Sequence, residues 1–174
     1  MPVTSRRTFI KAGLIGATAL AITGGVVRFR QNSRLQRFRL DQAASAALAA
    51  ITAAMLQGTL PATPAEAAET VAATVTRIQA TINGLPLATQ KEIADLFGLL
   101  TLAPTRRFLA GIKTDWPDAQ PAQVAAFLQS WRMHRFALMQ SAYQALHDLV
   151  FGAWYSDDAS WRAIGYPGPR FHFA

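Results

Sequence analysis

The chain has 174 residues, a formal net charge of +7 and no cysteine. The lack of thiols excludes disulfides, thiolate metal sites, covalent c-type haem attachment and cysteine-ligated iron–sulfur clusters from this chain. The charge does not indicate a nucleic-acid-binding domain, because 8 of the 17 basic side chains and none of the 10 acidic ones lie in residues 1–39, which leaves residues 40–174 nearly balanced.

The heptapeptide over residues 5–11 reads SRRTFIK, and an uncharged run over residues 12–27 follows it. This order of parts is typical of a twin-arginine export signal, which a receptor reads and which directs folded proteins across the inner membrane. The alternative is an ordinary Sec signal or an N-terminal anchor. As a helix the run would span about 24 Å, short of the roughly 30 Å hydrocarbon core. We therefore expect a periplasmic protein, targeted by Ser5, Arg6, Arg7, Phe9 and Lys11.

A basic stretch over residues 28–39 follows the apolar run and carries five arginines. Two alternatives remain open for the leader: it is cleaved near residues 23–26, or it stays attached and holds the protein at the inner membrane. The basic stretch is expected to contact anionic lipid headgroups or to be solvated. A single domain is predicted over residues 40–174, with residues 154–174 as an aromatic tail.

Alanine and leucine dominate the domain, which predicts an all-α fold: a small bundle of four to five helices with an aromatic, Pro/Gly-rich C-terminal tail. The first helix is predicted over residues 41–57, with Asp41 as its N-cap. The second begins at residues 63–66 (TPAE), a capping box with proline at the first helical position, and ends in a left-handed C-cap at Gly84.

The third helix is predicted to open with a second capping box, residues 89–92 (TQKE), and to stop before Pro104. A short helical turn over residues 106–112 leads into a loop. The longest apolar stripe runs from Val124 through Leu138 to Trp154 and predicts one helix of about 33 residues, or two joined near residues 132–134. Arg135 interrupts this stripe, which indicates either a break or a buried ion pair.

Side chains with catalytic chemistry are few and lack the spacing that such chemistry needs. The three histidines form no His-x-x-x-His or Glu-x-x-His pair, so no metal site is expected within the bundle. The Asp157–Asp158 pair is read as the N-cap of a short helical turn. Because the sequence also lacks a phosphate loop, a dinucleotide fingerprint and a nucleophile motif, we expect neither a cofactor nor an enzyme activity in this chain.

The aromatic tail is the candidate partner contact, because rings on a proline-stiffened segment bury a large area at little entropic cost. The alternative is that the tail covers the core of the bundle itself, and the two are compatible if its tryptophans pack inward. The residues predicted to bind a partner are Trp154, Tyr155, Trp161, Gly165, Tyr166, Pro167, Gly168 and Pro169.

Several segments in this order resemble the small, exported accessory subunits of flavin-dependent glucose–methanol–choline-type and gluconate-type membrane dehydrogenases. The Trp-Tyr … Trp … Gly-Tyr-Pro-Gly-Pro ending is the most specific part, whereas the helical segments are weak. The segments besides the leader are residues 54–61 (AMLQGTLP), 90–97 (QKEIADLF), 127–132 (FLQSWR), 153–155 (AWY), Trp161 and residues 165–169 (GYPGP).

The resemblance implies a role for the leader. In such systems the catalytic large subunit binds FAD in the cytoplasm and the small subunit lends its twin-arginine leader, so that the pair crosses the membrane folded. Electrons then pass to a separate cytochrome or quinone. The implied partners are a flavin dehydrogenase large subunit, the twin-arginine translocase and a cytochrome subunit. The alternative is a free-standing periplasmic bundle that binds an apolar ligand or a lipid.

Overall fold

The computed structural model describes residues 38–163 and 165–167, and every regular element in this part of the chain is a helix. The predicted all-α fold is confirmed; a short helix in the tail brings the number of α-helices in the described residues to six. They are α1 (Gln42–Met55), α2 (Pro64–Gly84), α3 (Leu87–Thr101), α4 (Pro121–Arg132), α5 (Ala137–Tyr155) and α6 (Asp158–Ala163).

Helix α1 forms the centre of the bundle and packs against α2, α3, α4 and α5. Its Ala47, Leu48 and Ile51 are completely buried, and its many alanines allow the neighbouring helices to approach closely. The predicted N-cap is confirmed: a side-chain oxygen of Asp41 accepts a hydrogen bond from the backbone N–H of Ala44 at 2.7 Å. This cap satisfies one of the N–H groups that a helix start leaves unpaired.

Helix α2 begins as predicted but ends differently. Thr63 is its N-cap and Pro64 its first residue, although the Thr63 hydroxyl donates to the Glu66 carboxylate and makes no cap bond to a backbone N–H. The predicted left-handed C-cap at Gly84 is wrong, since Gly84 does not have a positive φ. The chain instead leaves the helix in an extended conformation at Leu85, because the residue before a proline is disfavoured in the α region.

Helix α3 starts at Leu87, two residues before the capping box predicted at residues 89–92. That prediction is wrong because Pro86 is the N-cap, which leaves Thr89 inside the first turn. Gln90 is 4% exposed and has a long-range role. Its Oε1 accepts from the backbone N–H of Phe38 at 3.1 Å. Its Nε2 donates to the carbonyls of Leu85 at 2.8 Å and Asn83 at 3.3 Å. One side chain therefore joins the end of α2 to the segment that precedes α1.

Phe38 belongs to the core, although the sequence placed it in the basic linker. Its side chain is 6% exposed, and its ring lies 6.4 Å from that of Phe97. The packed domain therefore begins before residue 40, the predicted boundary. Because arginines flank Phe38 on both sides, composition alone assigns this residue to the basic linker.

Replacing Gln90 with leucine is expected to lower the free energy of unfolding by about 2–3 kcal/mol, because buried groups on three residues lose their partner. The measurement is the urea midpoint at an unchanged denaturant slope. The matched control is Gln129→Leu on an exposed position of α4, where we expect a change within about 0.5 kcal/mol. Equal effects of the two substitutions would contradict this role of Gln90.

The end of α3 is completed by side chains, because Pro104 has no N–H to donate to the carbonyl of Leu100. The indole Nε1 of Trp116 donates to that carbonyl at 2.9 Å, and the Thr105 hydroxyl donates to the carbonyl of Leu99. The chain then continues from an α-turn (Ala103–Thr105) into a π-helix (Arg106–Ala110) and, later, a 3₁₀-helix (Trp116–Asp118). The predicted short helical turn is thus largely of the π type.

The long apolar stripe forms two helices separated by residues 133–136. His134 organises the turn: its Nδ1 accepts from the N–H of Phe136 at 3.1 Å, and its carbonyl accepts from Gln140 Nε2 at 2.7 Å. Arg135 lies in this break and is exposed, so the alternative of a buried ion pair is wrong. Leu138 is 72% exposed instead of buried, because the turn resets the phase of the helix.

Candidate interaction surface

Four rings follow one another along α5 at four-residue intervals: Tyr143, His147, Phe151 and Tyr155. The distances between successive ring centroids are 6.0, 4.5 and 6.0 Å. Residues four apart on a helix are surface neighbours, which explains the continuous row. Over twelve residues the row extends about 18 Å along the helix.

This row of rings lies beside the buried face of α5. The buried face consists of Leu146, Leu149, Val150, Ala153 and Trp154. Each four-residue step turns about 40° beyond a full rotation, so the row winds away from the core toward the end of the helix. Accordingly, the first three rings are half-buried and Tyr155 is 45% exposed.

The tail extends the row of rings past the end of α5. Trp161 Nε1 donates to the carbonyl of Tyr155 at 2.6 Å, which caps a carbonyl in the last turn of the helix. The N–H of Tyr166 donates to the carbonyl of Trp161 at 2.8 Å, and their rings meet edge to face at 5.7 Å. Gly165, with φ of 73°, permits the tight reversal between them. We call Tyr143, His147, Phe151, Tyr155, Trp161 and Tyr166 the aromatic surface.

An ion pair between Arg77 on α2 and Asp157, 80 residues further on, fixes the start of the tail. Their side chains are 34% and 29% exposed, so solvent screens the pair and its contribution to stability is small, at most about 1 kcal/mol. Its effect is geometric, because it ties the segment between α5 and α6 to a helix of the bundle. Helix α5 and this ion pair at the start of the tail therefore hold the rings of the aromatic surface in place.

A cleft of about 440 Å³ lies beside this ion pair. Four of the nine lining residues are charged, and three of these are already engaged: Arg77 with Asp157, and Glu66 with Thr63. The lining residues are Thr59, Pro61, Glu66, Glu69, Thr70, Ala73, Arg77, Trp154 and Asp157.

The structure brings several predicted partner-binding residues together at the end of α5. Tyr155, Gly165, Tyr166 and Pro167 are exposed there, and Trp161 is half-buried. Trp154 is only 6% exposed, which leaves too little of its indole free for a partner, so we assign it to the core. Gly168 and Pro169 lie outside the described residues, as do the targeting residues Ser5, Arg6, Arg7, Phe9 and Lys11.

Sequence reasoning missed three members of the aromatic surface: Tyr143, His147 and Phe151. Their four-residue spacing, continued by Tyr155, is the sequence signal that predicts such a row, and it runs beside the core stripe of the same helix. The Nδ1 atom of His147 also lies 3.2 Å from a carboxylate oxygen of Asp148. The ring contacts add a packing role.

Within the described part of the chain, no group of three or more His, Asp or Glu side chains is arranged to hold a metal ion. None of the helices in residues 38–163 combines the length and hydropathy that a bilayer span requires. The fold and the site together define a small all-α bundle with an exposed aromatic surface at one end. Comparison of the chain with protein-family models, curated proteins and solved structures finds no match.

Proposed function

We propose that this chain is a non-catalytic subunit that binds, stabilises and co-exports a periplasmic FAD-dependent dehydrogenase. The observation that carries the proposal is the aromatic surface. Its rings are held in place by α5, by the indole of Trp161 and by the ion pair of Arg77, yet Tyr155 and Tyr166 remain about half exposed. Ordered, partly exposed aromatic side chains are the groups that carry most binding energy in protein interfaces.

The proposal that this chain co-exports its partner rests on the sequence. A twin-arginine leader serves proteins that fold before they cross the membrane, and this chain shows no cofactor motif that would require folding first. A folded cytoplasmic partner accounts for the leader, and the resemblance of the chain points to a flavin dehydrogenase as that partner. The complex would reside in the periplasm, held at the inner membrane if the leader is retained, and would pass electrons to a cytochrome subunit.

The alternative, a free-standing periplasmic bundle that binds an apolar ligand or lipid, has less support. Four of the nine residues that line the cleft beside Arg77 are charged, and Glu66 and Glu69 would have to lose water to accommodate an apolar molecule. The aromatic surface is an open row of rings and not an enclosed pocket. We therefore retain the accessory subunit as the proposed function.

Affinity purification of the full-length, tagged chain from the periplasmic fraction tests the proposal. We expect a stoichiometric flavoprotein to co-purify, visible as a second band and as flavin absorption, with a combined mass equal to one copy of each. The chain recovered alone as a monomer, without flavin, would refute the proposed complex. A bound lipid recovered with that monomer would favour the free-standing bundle.

A further inference from the structure

Four large apolar side chains project into solvent from the turn between α4 and α5 and from the π-helix. Their exposed fractions are 85% for Phe108, 70% for Met133, 54% for Phe136 and 72% for Leu138. None of them belongs to the aromatic surface. Such a concentration of exposed apolar groups in two short segments indicates an interaction site.

The two segments lie side by side. Trp131 is the penultimate residue of α4. Its indole Nε1 donates a hydrogen bond to the carbonyl of Leu109 in the π-helix at 3.0 Å. Phe108 directly precedes Leu109, and Met133 follows Trp131 by two residues. One end of the bundle therefore presents apolar side chains from both segments, and we call it the corner surface.

The exposed charges within these two segments are all positive. Arg107, Lys113, Arg132 and Arg135 are exposed, and the stretches 106–113 and 131–140 contain no Asp or Glu. The nearby Asp115 is exposed but is paired at 2.8 Å with the buried Arg106, so this pair adds no net charge. The guanidinium of Arg135 lies 4.7 Å from the ring centroid of Phe136, which places charge and apolar area together.

We propose that the corner surface docks on an anionic lipid bilayer. Exposed rings and aliphatic side chains interspersed with arginine and lysine suit the headgroup region, where apolar groups enter the acyl boundary and cations meet phosphates. The positive charges of the corner surface complement a surface of uniform negative charge. Its apolar side chains protrude, and a fluid lipid interface accommodates them without a matching pocket.

This docking site is separate from the partner contact in the proposed function. The corner surface includes the start of α5, whereas Tyr155 ends the same helix 18 residues after Ala137. At 1.5 Å per residue the helix holds these two ends about 27 Å apart. A bilayer at the corner surface thus leaves Tyr155 and Tyr166, the exposed rings of the aromatic surface, free for a protein. The inference does not depend on the identity of that protein.

Sedimentation of the full-length protein with vesicles tests the inference. The probes are vesicles of phosphatidylglycerol and phosphatidylethanolamine, compared with vesicles of phosphatidylcholine alone. The leader contributes equally in every variant, so the comparison isolates the corner surface. The variants are Arg132→Gln with Arg135→Gln, and Phe108→Gln with Leu138→Gln; the controls are Lys91→Gln and Leu87→Gln on α3, away from the corner surface.

We expect the double arginine variant to bind anionic vesicles about 25-fold more weakly, about fivefold for each cation removed. The double apolar variant should weaken binding similarly, and the controls should bind as the parent does. Near-UV circular dichroism checks that each variant is folded. Unchanged vesicle binding by both double variants, or equal binding of the parent to neutral vesicles, would overturn the inference. So would unchanged vesicle binding with loss of a co-purifying protein, which would assign the corner surface to a protein partner.

Discussion

Replacing Arg6 and Arg7 with lysines is expected to retain both this chain and its partner dehydrogenase in the cytoplasm. The translocase receptor reads the arginine pair as such, so a change that preserves charge still destroys the signal. The proposal has the partner cross the membrane only through this leader, so its export should fall to background together with that of this chain. The measurement is dehydrogenase activity and both polypeptides in the periplasmic and cytoplasmic fractions.

The matched control makes the same substitutions outside the heptapeptide, Arg28→Lys with Arg30→Lys. This control should export both proteins normally, which separates motif recognition from general charge. Full dehydrogenase activity in the periplasm of the Arg6/Arg7 variant would show that this leader does not carry the enzyme.

Replacing Tyr155 and Tyr166 with alanine is expected to weaken the complex with the dehydrogenase by roughly a hundredfold, about 3 kcal/mol. Both side chains are about half exposed, so their removal should change the stability of the bundle little. The loss should arise mainly from faster dissociation, which surface plasmon resonance measures directly.

The control for this double variant is Phe108→Ala with Met133→Ala, which removes at least as much exposed apolar area from the corner surface. That variant should bind the dehydrogenase with unchanged affinity. If the two double variants weaken the complex equally, the aromatic surface is not the specific contact.

The sequence predicted those parts of the fold that depend on local pattern. Asp41 caps α1 as expected, because the capping hydrogen bond joins its carboxylate to the backbone N–H of a residue only three positions further on. The approximate position of every main helix likewise followed from apolar spacing and from proline and glycine. These signals act within one or two turns, which is the range that a sequence pattern reports.

A long-range contact was missed at Gln90, whereas other errors have local causes. Gln90 looked like part of a capping box, but it bonds Phe38, 52 residues away, and this contact also brings the end of the linker into the core. The Leu138 prediction failed for a local reason: the first helix ends at Arg132, and the second begins at Ala137 with a different phase. No local pattern records which distant backbone group a buried polar side chain will meet.

The candidate site could be predicted in part. The composition of the tail pointed to Tyr155 and Tyr166 as surface aromatics, and both are exposed. Trp154 was predicted to belong to the same contact, with inward packing of the tail's tryptophans as a compatible alternative. Successive side chains on a helix differ in direction by about 100°, so Trp154 lies in the core whereas Tyr155 is exposed.

The most direct test of the central claim is the location of the flavin dehydrogenase in cells that lack this chain. Cells are compared with and without the gene for the chain, and flavin-dependent activity is measured in periplasmic and cytoplasmic fractions. Our account predicts periplasmic activity only when the chain is present, with restoration by the parent sequence. Equal periplasmic activity in both strains would contradict co-export by this chain.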